Sequence, residues 1–214
     1  MKTVSVVVPA FNEEGTIRQI AKTLQKSKKI GICQEAIVVN DGSTDQTGLI
    51  LDRFKDIKQI RLPRNKGKGN AIAQGIKASK SDIIVLLDAD FTNLKTKYIK
   101  LLLSPIISGE YQASVGVPDN NTLGIAILPK EFSGQRAYYR KDLMPILGEI
   151  GKAGYGIEVL LNSKHSHLKT NYMKLKGLKY TAKISKKQHK LLPIYNFTRM
   201  CTEIVIQSVK NLFA

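Results

Sequence analysis

Four short runs rich in β-branched residues, each stopping abruptly at a polar cluster, constrain this chain more than any other feature. Val4-Ser5-Val6-Val7-Val8, Ala36-Ile37-Val38-Val39, Gln59-Ile60-Arg61-Leu62 and Ile83-Ile84-Val85-Leu86-Leu87 read as strands, with residues 113–117 as a fifth. Between them, Ile17, Ile20, Ala21 and Leu24 recur at helical spacing, as do Ala71, Ile72, Gly75 and Ile76. Thr44 is suited to cap another helix running through Leu49, Ile50 and Phe54. Strand and helix in alternation is the pattern of βαβ units, so the expected fold class is α/β, a Rossmann-like, mostly parallel central sheet with helices on both faces. Ligands of such sheets bind at the carboxyl ends of the strands, where the loops diverge, and every polar cluster falls on that edge.

The chain has 214 residues, 43% of them hydrophobic, which suits one well-cored domain over residues 1–214. Past residue 130 the pattern changes to helices around 135–150 and 158–165, a basic stretch, and an amphipathic helix over 197–213. No apolar run approaches the roughly 20 residues of a membrane-spanning helix, so a cytoplasmic protein, or one peripheral to the cytoplasmic face of a membrane, is expected. Cys33 and Cys201 lack metal-ligand spacing and are read as buried thiols. The net charge is +17, and between Val159 and Thr202 nine lysines and one arginine face no Asp or Glu. That half calls for an anionic partner, and nucleic acid, an anionic membrane surface and a phosphorylated substrate satisfy the charge equally. Against nucleic acid, aromatic residues are only 7% of the chain and no recognised nucleic-acid-binding motif occurs.

Four clusters carry chemistry. Asp88-Ala89-Asp90 follows the most apolar strand directly, and two carboxylates one residue apart at a strand end can share a hard cation such as Mg²⁺ or Mn²⁺. Such a cation neutralises a diphosphate leaving group. An isolated pair of this kind is more often a solvated turn or helix cap, and its position after a buried strand shifts the balance. In Val39-Asn40-Asp41-Gly42-Ser43-Thr44-Asp45, Asp41 could accept hydrogen bonds from a base or ribose, or it could merely form the turn. Val8-Pro9-Ala10-Phe11-Asn12-Glu13-Glu14 brings backbone donors and polar side chains to the same edge. Arg64-Asn65-Lys66-Gly67-Lys68-Gly69-Asn70-Ala71 places cations and two glycines at a helix start, where free N–H groups favour phosphate, without the spacing of a Walker A loop.

Taken in order, these motifs resemble those of family 2 glycosyltransferases of the GT-A fold, most closely the polyprenyl-phosphate mannosyl- and glucosyltransferases. The resemblance is strong over residues 1–92, which it makes the nucleotide-sugar-binding half, and weaker to about residue 190, which leaves 93–214 as the acceptor-side half. It implies a UDP- or GDP-linked sugar held by Pro9, Ala10, Phe11, Glu13, Asp41 and Lys68, with Asp88, Ala89 and Asp90 at the metal and diphosphate. Gln135 and Arg136 match an acceptor-side element, with Arg136 meeting an anionic acceptor. Separately, the basic run that includes Lys183 and Lys186 would assist by its charge at a lipid phosphate or a membrane surface. Gly154-Tyr155-Gly156-Ile157-Glu158 also resembles a segment of glucosyl-3-phosphoglycerate synthases. Glu158 is thereby eligible as a general base if the acceptor is a hydroxyl, while as a helix-start charge it needs no ligand at all.

Two departures stand out. Relatives often supply a third metal ligand, a histidine, on a late strand, where this chain offers Lys179 and Tyr180. His165, His167 and His189 do not align with that position and read as surface histidines. Many lipid-linked members carry C-terminal transmembrane segments; here none is expected within residues 1–214, and the helix expected over 197–213 has an apolar stripe that suits core or dimer packing and also an interfacial contact. The expected activity is hexose transfer from a nucleoside diphosphate sugar to a phosphate-bearing acceptor, polyprenyl phosphate first and a small phosphorylated acid second. A catalytically silent relative, or a nucleic-acid-binding module, is the reading of a different class.

Overall fold

A computed structural model describes residues 2–118 and 133–179 of the chain. Its centre is a seven-stranded sheet in the order β3-β2-β1-β4-β6-β5-β7. The strands are β1 (Val4–Ala10), β2 (Glu35–Asn40), β3 (Lys58–Arg61), β4 (Ile83–Leu86), β5 (Ala113–Pro118), β6 (Gln135–Tyr139) and β7 (Thr170–Leu175). β1, β2, β3 and β4 pair in parallel, β6 runs antiparallel to both β4 and β5, and β7 pairs in parallel with β5. The helices are α1 (Ile17–Lys29), α2 (Thr47–Leu51), α3 (Lys68–Ala78), α4 (Thr96–Ile107), α5 (Arg140–Leu143), α6 (Leu147–Lys152) and α7 (Ile157–Lys164).

Both faces of the sheet are covered, which is why the central strands are apolar at every position rather than at alternate ones. Val6, Val8, Val38, Val85 and Leu87 pack toward α1 and α4, and Val7, Ile37, Val39, Ile84 and Leu86 toward α3 and α7. These side chains are at most 2% exposed, and each contributes roughly 1.5–3 kcal/mol through burial.

The departures from expectation are local. Residues 135–139 form a strand where a helix over 135–150 is expected, and helix begins only at Arg140. In Gln135-Arg136-Ala137-Tyr138-Tyr139 the side chains alternate between the two core layers, and the strand fills the slot between β4 and β5. Thr44 does not cap α2. Its N–H donates to Asn12 Oδ1 at 2.9 Å, and Asp45 Oδ1 accepts from Thr47 N at 2.9 Å instead. α4 and β7 are absent from the sequence reading. The amphipathic helix over 197–213, Cys201 and His189 lie outside the described residues, while Cys33 is a buried thiol whose pKa burial pushes up to about 11. Among the described residues no helix is long and apolar enough to cross a membrane.

Candidate functional site

The strand order turns back between β1 and β4, so the loops that follow these two strands leave in opposite directions and open a crevice at their carboxyl ends. The loop after β1 clasps the loop after β2. Asn12, in the left-handed region at φ 53°, donates through its N–H to Ser43 Oγ at 3.0 Å, and Glu13 N donates to Thr47 Oγ1 at 2.8 Å. Phe11 stands at this rim 39% exposed, unlike the apolar residues of β1 behind it. Asn12, Ser43 and Thr47 carry the geometry, and the sequence signal for them was reciprocal: two capping-type runs, Asn-Glu-Glu and Ser-Thr-Asp-Gln-Thr, each supplying what the other accepts.

Asp41 is buried and turned toward the chain itself. Its carboxylate accepts from Lys66 N at 2.8 Å and Gly67 N at 2.9 Å, holding the loop that leads into α3. Gly42 makes this approach possible: it sits at φ +67°, and a Cβ there would lie 2.4 Å from the Arg64 carbonyl carbon. Burial raises the Asp41 pKa, and the two amides and the Lys66 charge oppose that rise without cancelling it. The same carboxylate therefore positions Lys68, the first residue of α3.

Lys68 is the hub of the crevice. Its ammonium lies 2.7 Å from Asp88 Oδ1 and 2.6 Å from Glu158 Oε1, joining the ends of β4, α3 and α7. Burial works against its charge, but the two carboxylates outweigh burial and hold its pKa well above the usual lysine value. Gln135 grips Asp88 from the other side: Nε2 donates to Asp88 Oδ2 at 2.7 Å, and Asp88 N donates to Gln135 Oε1 at 3.0 Å. Gly134 leaves room for this arrangement, since a Cβ there would meet Asp88 Oδ2 at 2.5 Å. Ala89 is buried, and its carbonyl accepts from Thr16 Oγ1 at 2.7 Å, which ties the acidic loop to the start of α1.

Asp88, Lys68, Gln135 and Glu158, four of the residues the sequence reading names, are brought together by the fold. Arg136 is placed differently. It is the neighbour of Gln135 on a strand, so it points to the opposite face, 1% exposed, where Nε donates to Ser133 O at 2.7 Å and Nη1 to Tyr138 Oη at 3.0 Å and Asn162 Oδ1 at 2.7 Å. His165 corrects the expectation of a surface histidine: it is 6% exposed, its ring 4.9 Å from that of Tyr138 and its Nε2 3.1 Å from Asp142 O. Lys183 and Lys186 lie outside the described residues. Lys179 is described, and its backbone holds the segment just past Asp90: Thr92 N donates to Lys179 O at 2.9 Å, and Lys179 N to Asn93 Oδ1 at 2.8 Å.

Among the described residues no group of three His, Cys, Asp or Glu side chains gathers to hold a metal. Asp88 and Asp90 alone are a sparse set, which suits a cation that keeps several waters and completes its shell with ligand phosphate oxygens, as Mg²⁺ does.

The chain matches the family described as Glycosyl transferase family 2 over residues 5–153. Glucosyl-3-phosphoglycerate synthase of Mycobacterium tuberculosis is 32% identical over 117 residues, covering 51% of this chain and 35% of that protein. Undecaprenyl-phosphate 4-deoxy-4-formamido-L-arabinose transferase of Pectobacterium atrosepticum is 39% identical over 99 residues, covering 44% and 30%. Dolichyl-phosphate beta-glucosyltransferase of Mus musculus is 32% identical over 157 residues, covering 67% and 47%. The chain thus spans about a third to a half of the length of these curated relatives. The crystal structure of glucosyl-3-phosphoglycerate synthase from Mycobacterium tuberculosis in complex with Mn²⁺, uridine diphosphate and glucosyl-3-phosphoglycerate superposes with a TM-score of 0.78 at 22% identity, over 98% of this chain and 80% of that one. The same fold is seen in both, a mostly parallel sheet of the GT-A kind.

Proposed function

Because the chain belongs to glycosyl transferase family 2, we propose that it transfers a hexose from a nucleoside diphosphate sugar, UDP- or GDP-linked, to a phosphate-bearing acceptor. The observation that carries the reading is the Lys68 ammonium held between Asp88 and Glu158 at the point where the strand order turns back. Pro9, Ala10, exposed Phe11 and Glu13 form the wall that takes the nucleotide, with Phe11 free to stack on the base. Asp41 acts there mainly by placing Lys66, Gly67 and Lys68.

Asp88 and Asp90 would hold Mg²⁺ or Mn²⁺, which supplies neutralisation of the departing diphosphate. Lys68 meets the same phosphates, and Gln135 keeps the Asp88 carboxylate oriented toward them. Glu158 is engaged by Lys68, which suits a positioning group better than a proton acceptor. A phosphate oxygen attacking the anomeric carbon needs no base, and this favours polyprenyl phosphate as acceptor, reached by peripheral contact with a membrane. The second reading, transfer to a small phosphorylated acid, draws on the glucosyl-3-phosphoglycerate synthases among the relatives. Lys183 and Lys186 are proposed on the acceptor side from the charge of their basic stretch alone.

The test is a thermal-shift screen of the purified protein against UDP, GDP and their sugars, with and without Mn²⁺, followed by incubation with each acceptor and partition of the product. A rise in Tm that requires Mn²⁺ for one nucleotide supports the reading, because a ligand that binds only the folded state stabilises it. Labelled sugar in the lipid phase identifies the first acceptor and in the aqueous phase the second. No rise with any nucleotide overturns both.

A further inference from the structure

α1 begins on a residue of the type that caps helices, yet the helix is not capped by it. Thr16 occupies the N-cap position, where a threonine hydroxyl ordinarily accepts from an N–H of the first turn, and it makes no such bond. Thr16 is 4% exposed, and its Oγ1 lies 2.7 Å from the Ala89 carbonyl oxygen, 73 positions away in sequence. Glu13 Oε2 and Glu13 O are farther off, at 3.2 and 3.3 Å. A hydroxyl has one hydrogen to give, and carbonyl and carboxylate oxygens only accept, so the shortest contact takes it. The backbone closes the other half of the joint: Thr16 N and Ile17 N donate to Glu13 O at 3.1 and 2.8 Å.

What the hydroxyl holds is the peptide unit between Ala89 and Asp90. That unit is planar, so anchoring its carbonyl oxygen restricts the position of the Asp90 Cα from which the carboxylate springs. Asp88 is set from elsewhere, by Gln135 and Lys68. The spacing of two carboxylates that share a cation therefore depends on where the Ala89 carbonyl sits, and the chain spends a buried hydroxyl on that oxygen instead of on the end of α1.

We propose that Thr16 is a positioning residue, which locks the acidic loop to the loop carrying Glu13 and so presents Asp90 to the cation. The inference rests on the function proposed above, with the metal at Asp88 and Asp90, and adds that the nucleotide wall and the acidic loop are one coupled unit. A tie that only stabilises the fold would show the same contacts, and α1 supplies the control that separates the two. Thr23, two turns further on, is 6% exposed, and its Oγ1 lies 2.9 Å from the Leu94 carbonyl oxygen and 3.1 Å from that of Gln19. Both threonines join α1 to a carbonyl in the segment after β4, and Thr16 alone of the two does so beside Asp90.

The experiment compares Thr16→Val, Thr16→Ser and Thr23→Val with the parent, each as the whole chain. Mn²⁺ is titrated into each protein with UDP, or with GDP where the screen selects it, the free ion is followed by its EPR signal, and urea unfolding gives the stability of each variant. Both valine variants lose a buried hydrogen bond and should fall in stability by similar amounts. Thr16→Val should bind Mn²⁺ roughly tenfold or more weakly, as loss of a group that orients a metal ligand does, while Thr23→Val matches the parent and Thr16→Ser stays within about twofold of it. Thr16→Ala, which leaves space rather than a methyl group against the carbonyl, carries the same expectation and decides the matter if Thr16→Val does not fold. The proposal is overturned if the folded variant lacking the hydroxyl binds Mn²⁺ as the parent does, or if Thr23→Val weakens binding equally, since either result leaves Thr16 a structural tie. A parent that shows no nucleotide-dependent Mn²⁺ binding overturns the proposed function first and the role of Thr16 with it.

Discussion

The two rims of the central sheet each carry a buried-to-half-buried acid, and they treat it in opposite ways. At the amino rim, Glu35 accepts from Ser5 Oγ, from Ser81 Oγ at 2.9 Å, from Ser79 Oγ at 3.2 Å and from Lys80 N at 2.9 Å. The donors are neutral and come from the starts of β1 and β4 and the end of α3, so the network closes on itself. At the carboxyl rim, Asp88 and Glu158 share a single ammonium, that of Lys68. Neutral hydroxyls satisfy a carboxylate without leaving a charge to be exchanged, whereas an ion pair shared between two acids can be traded for another cation or an incoming anion. The first arrangement is a structural joint, and the second has the character of a binding site.

The largest expected effect separates the two rims by activity. Asp90→Ala should lower transfer by roughly two to three orders of magnitude and abolish metal-dependent nucleotide-sugar binding, with little change in Tm, because a carboxylate at the strand end serves the ligand rather than the core. Calorimetry with Mn²⁺ and the nucleotide found by screening checks this, and an unchanged affinity would remove Asp90 from the metal site. Lys68→Met comes next. It leaves Asp88 and Glu158 facing each other without their cation, at an expected cost of about 2 kcal/mol, moderated by partial exposure. Mg²⁺ should restore part of that loss in the variant and stabilise the parent less. Equal response of the two proteins to Mg²⁺ would break the idea that Lys68 and the metal compete for Asp88.

Changes at the amino rim should move stability and nothing else. Glu35→Ala strands the hydroxyls of Ser5, Ser79 and Ser81 in the interior and is expected to cost about 1–3 kcal/mol by denaturant titration. Its Mn²⁺-dependent nucleotide response should match the parent's, and a loss of that response would erase the contrast between the rims. Acid gives a smaller and graded version of the same test. Burial pushes the Glu35 pKa up, but the hydrogen bonds from Ser5, Lys80, Ser81 and Ser79 outweigh it and bring it from an ordinary 4.5 down to about 2. A depressed folded-state value means the contribution is complete above about 4.5, the unfolded value, and is lost as pH falls through about 2. The stability difference between the parent and Glu35→Gln should therefore shrink across that window, by roughly 1–2 kcal/mol after screening. A difference that stays constant down to pH 2 would show that the charge on Glu35 is not what the serines stabilise.

The two rims also differ in how far the sequence reveals them. Asp88 and Asp90 follow an apolar strand in a short run, so their place at the carboxyl edge could be read directly, as could Lys68 at a glycine-flanked helix start. Glu35 meets Ser5, Ser79 and Ser81 across 30 to 46 positions of sequence with no spacing that distinguishes them from surface residues. The strand at 135–139 was hidden for a related reason: an antiparallel strand inserted between β4 and β5 has no helix of its own to announce it, and its five residues suit a helix start equally well. Arg136 and His165 follow from that error. Once Gln135 faces the crevice, strand alternation sends Arg136 beneath the sheet, and Tyr138 behind it gives His165 a ring to pack on.

The smallest effect tests whether the carboxyl rim can be taken further in the direction that sets it apart. Lys179 lies in the stretch that the resemblance matches to a histidine ligand, a correspondence we propose, and its backbone is hydrogen-bonded to Thr92 and Asn93, just past Asp90. Because those bonds use only backbone atoms of Lys179, the side chain can be exchanged without disturbing the loop. Lys179→His would replace a repelling ammonium with a neutral imidazole nitrogen, a good ligand for Mn²⁺ and a poorer one for Mg²⁺. The expected gain is about 1 kcal/mol, or some fivefold in Mn²⁺ affinity in the presence of nucleotide, with a smaller gain for Mg²⁺. It should grow with pH between about 6 and 7.5 as the imidazole loses its proton. The same gain at every pH would point to removal of the lysine charge alone, and Lys179→Gln, which removes the charge without offering a nitrogen lone pair, separates the two causes. If neither variant changes metal affinity, position 179, beyond the end of β7, is too far from Asp90 to reach a cation bound there.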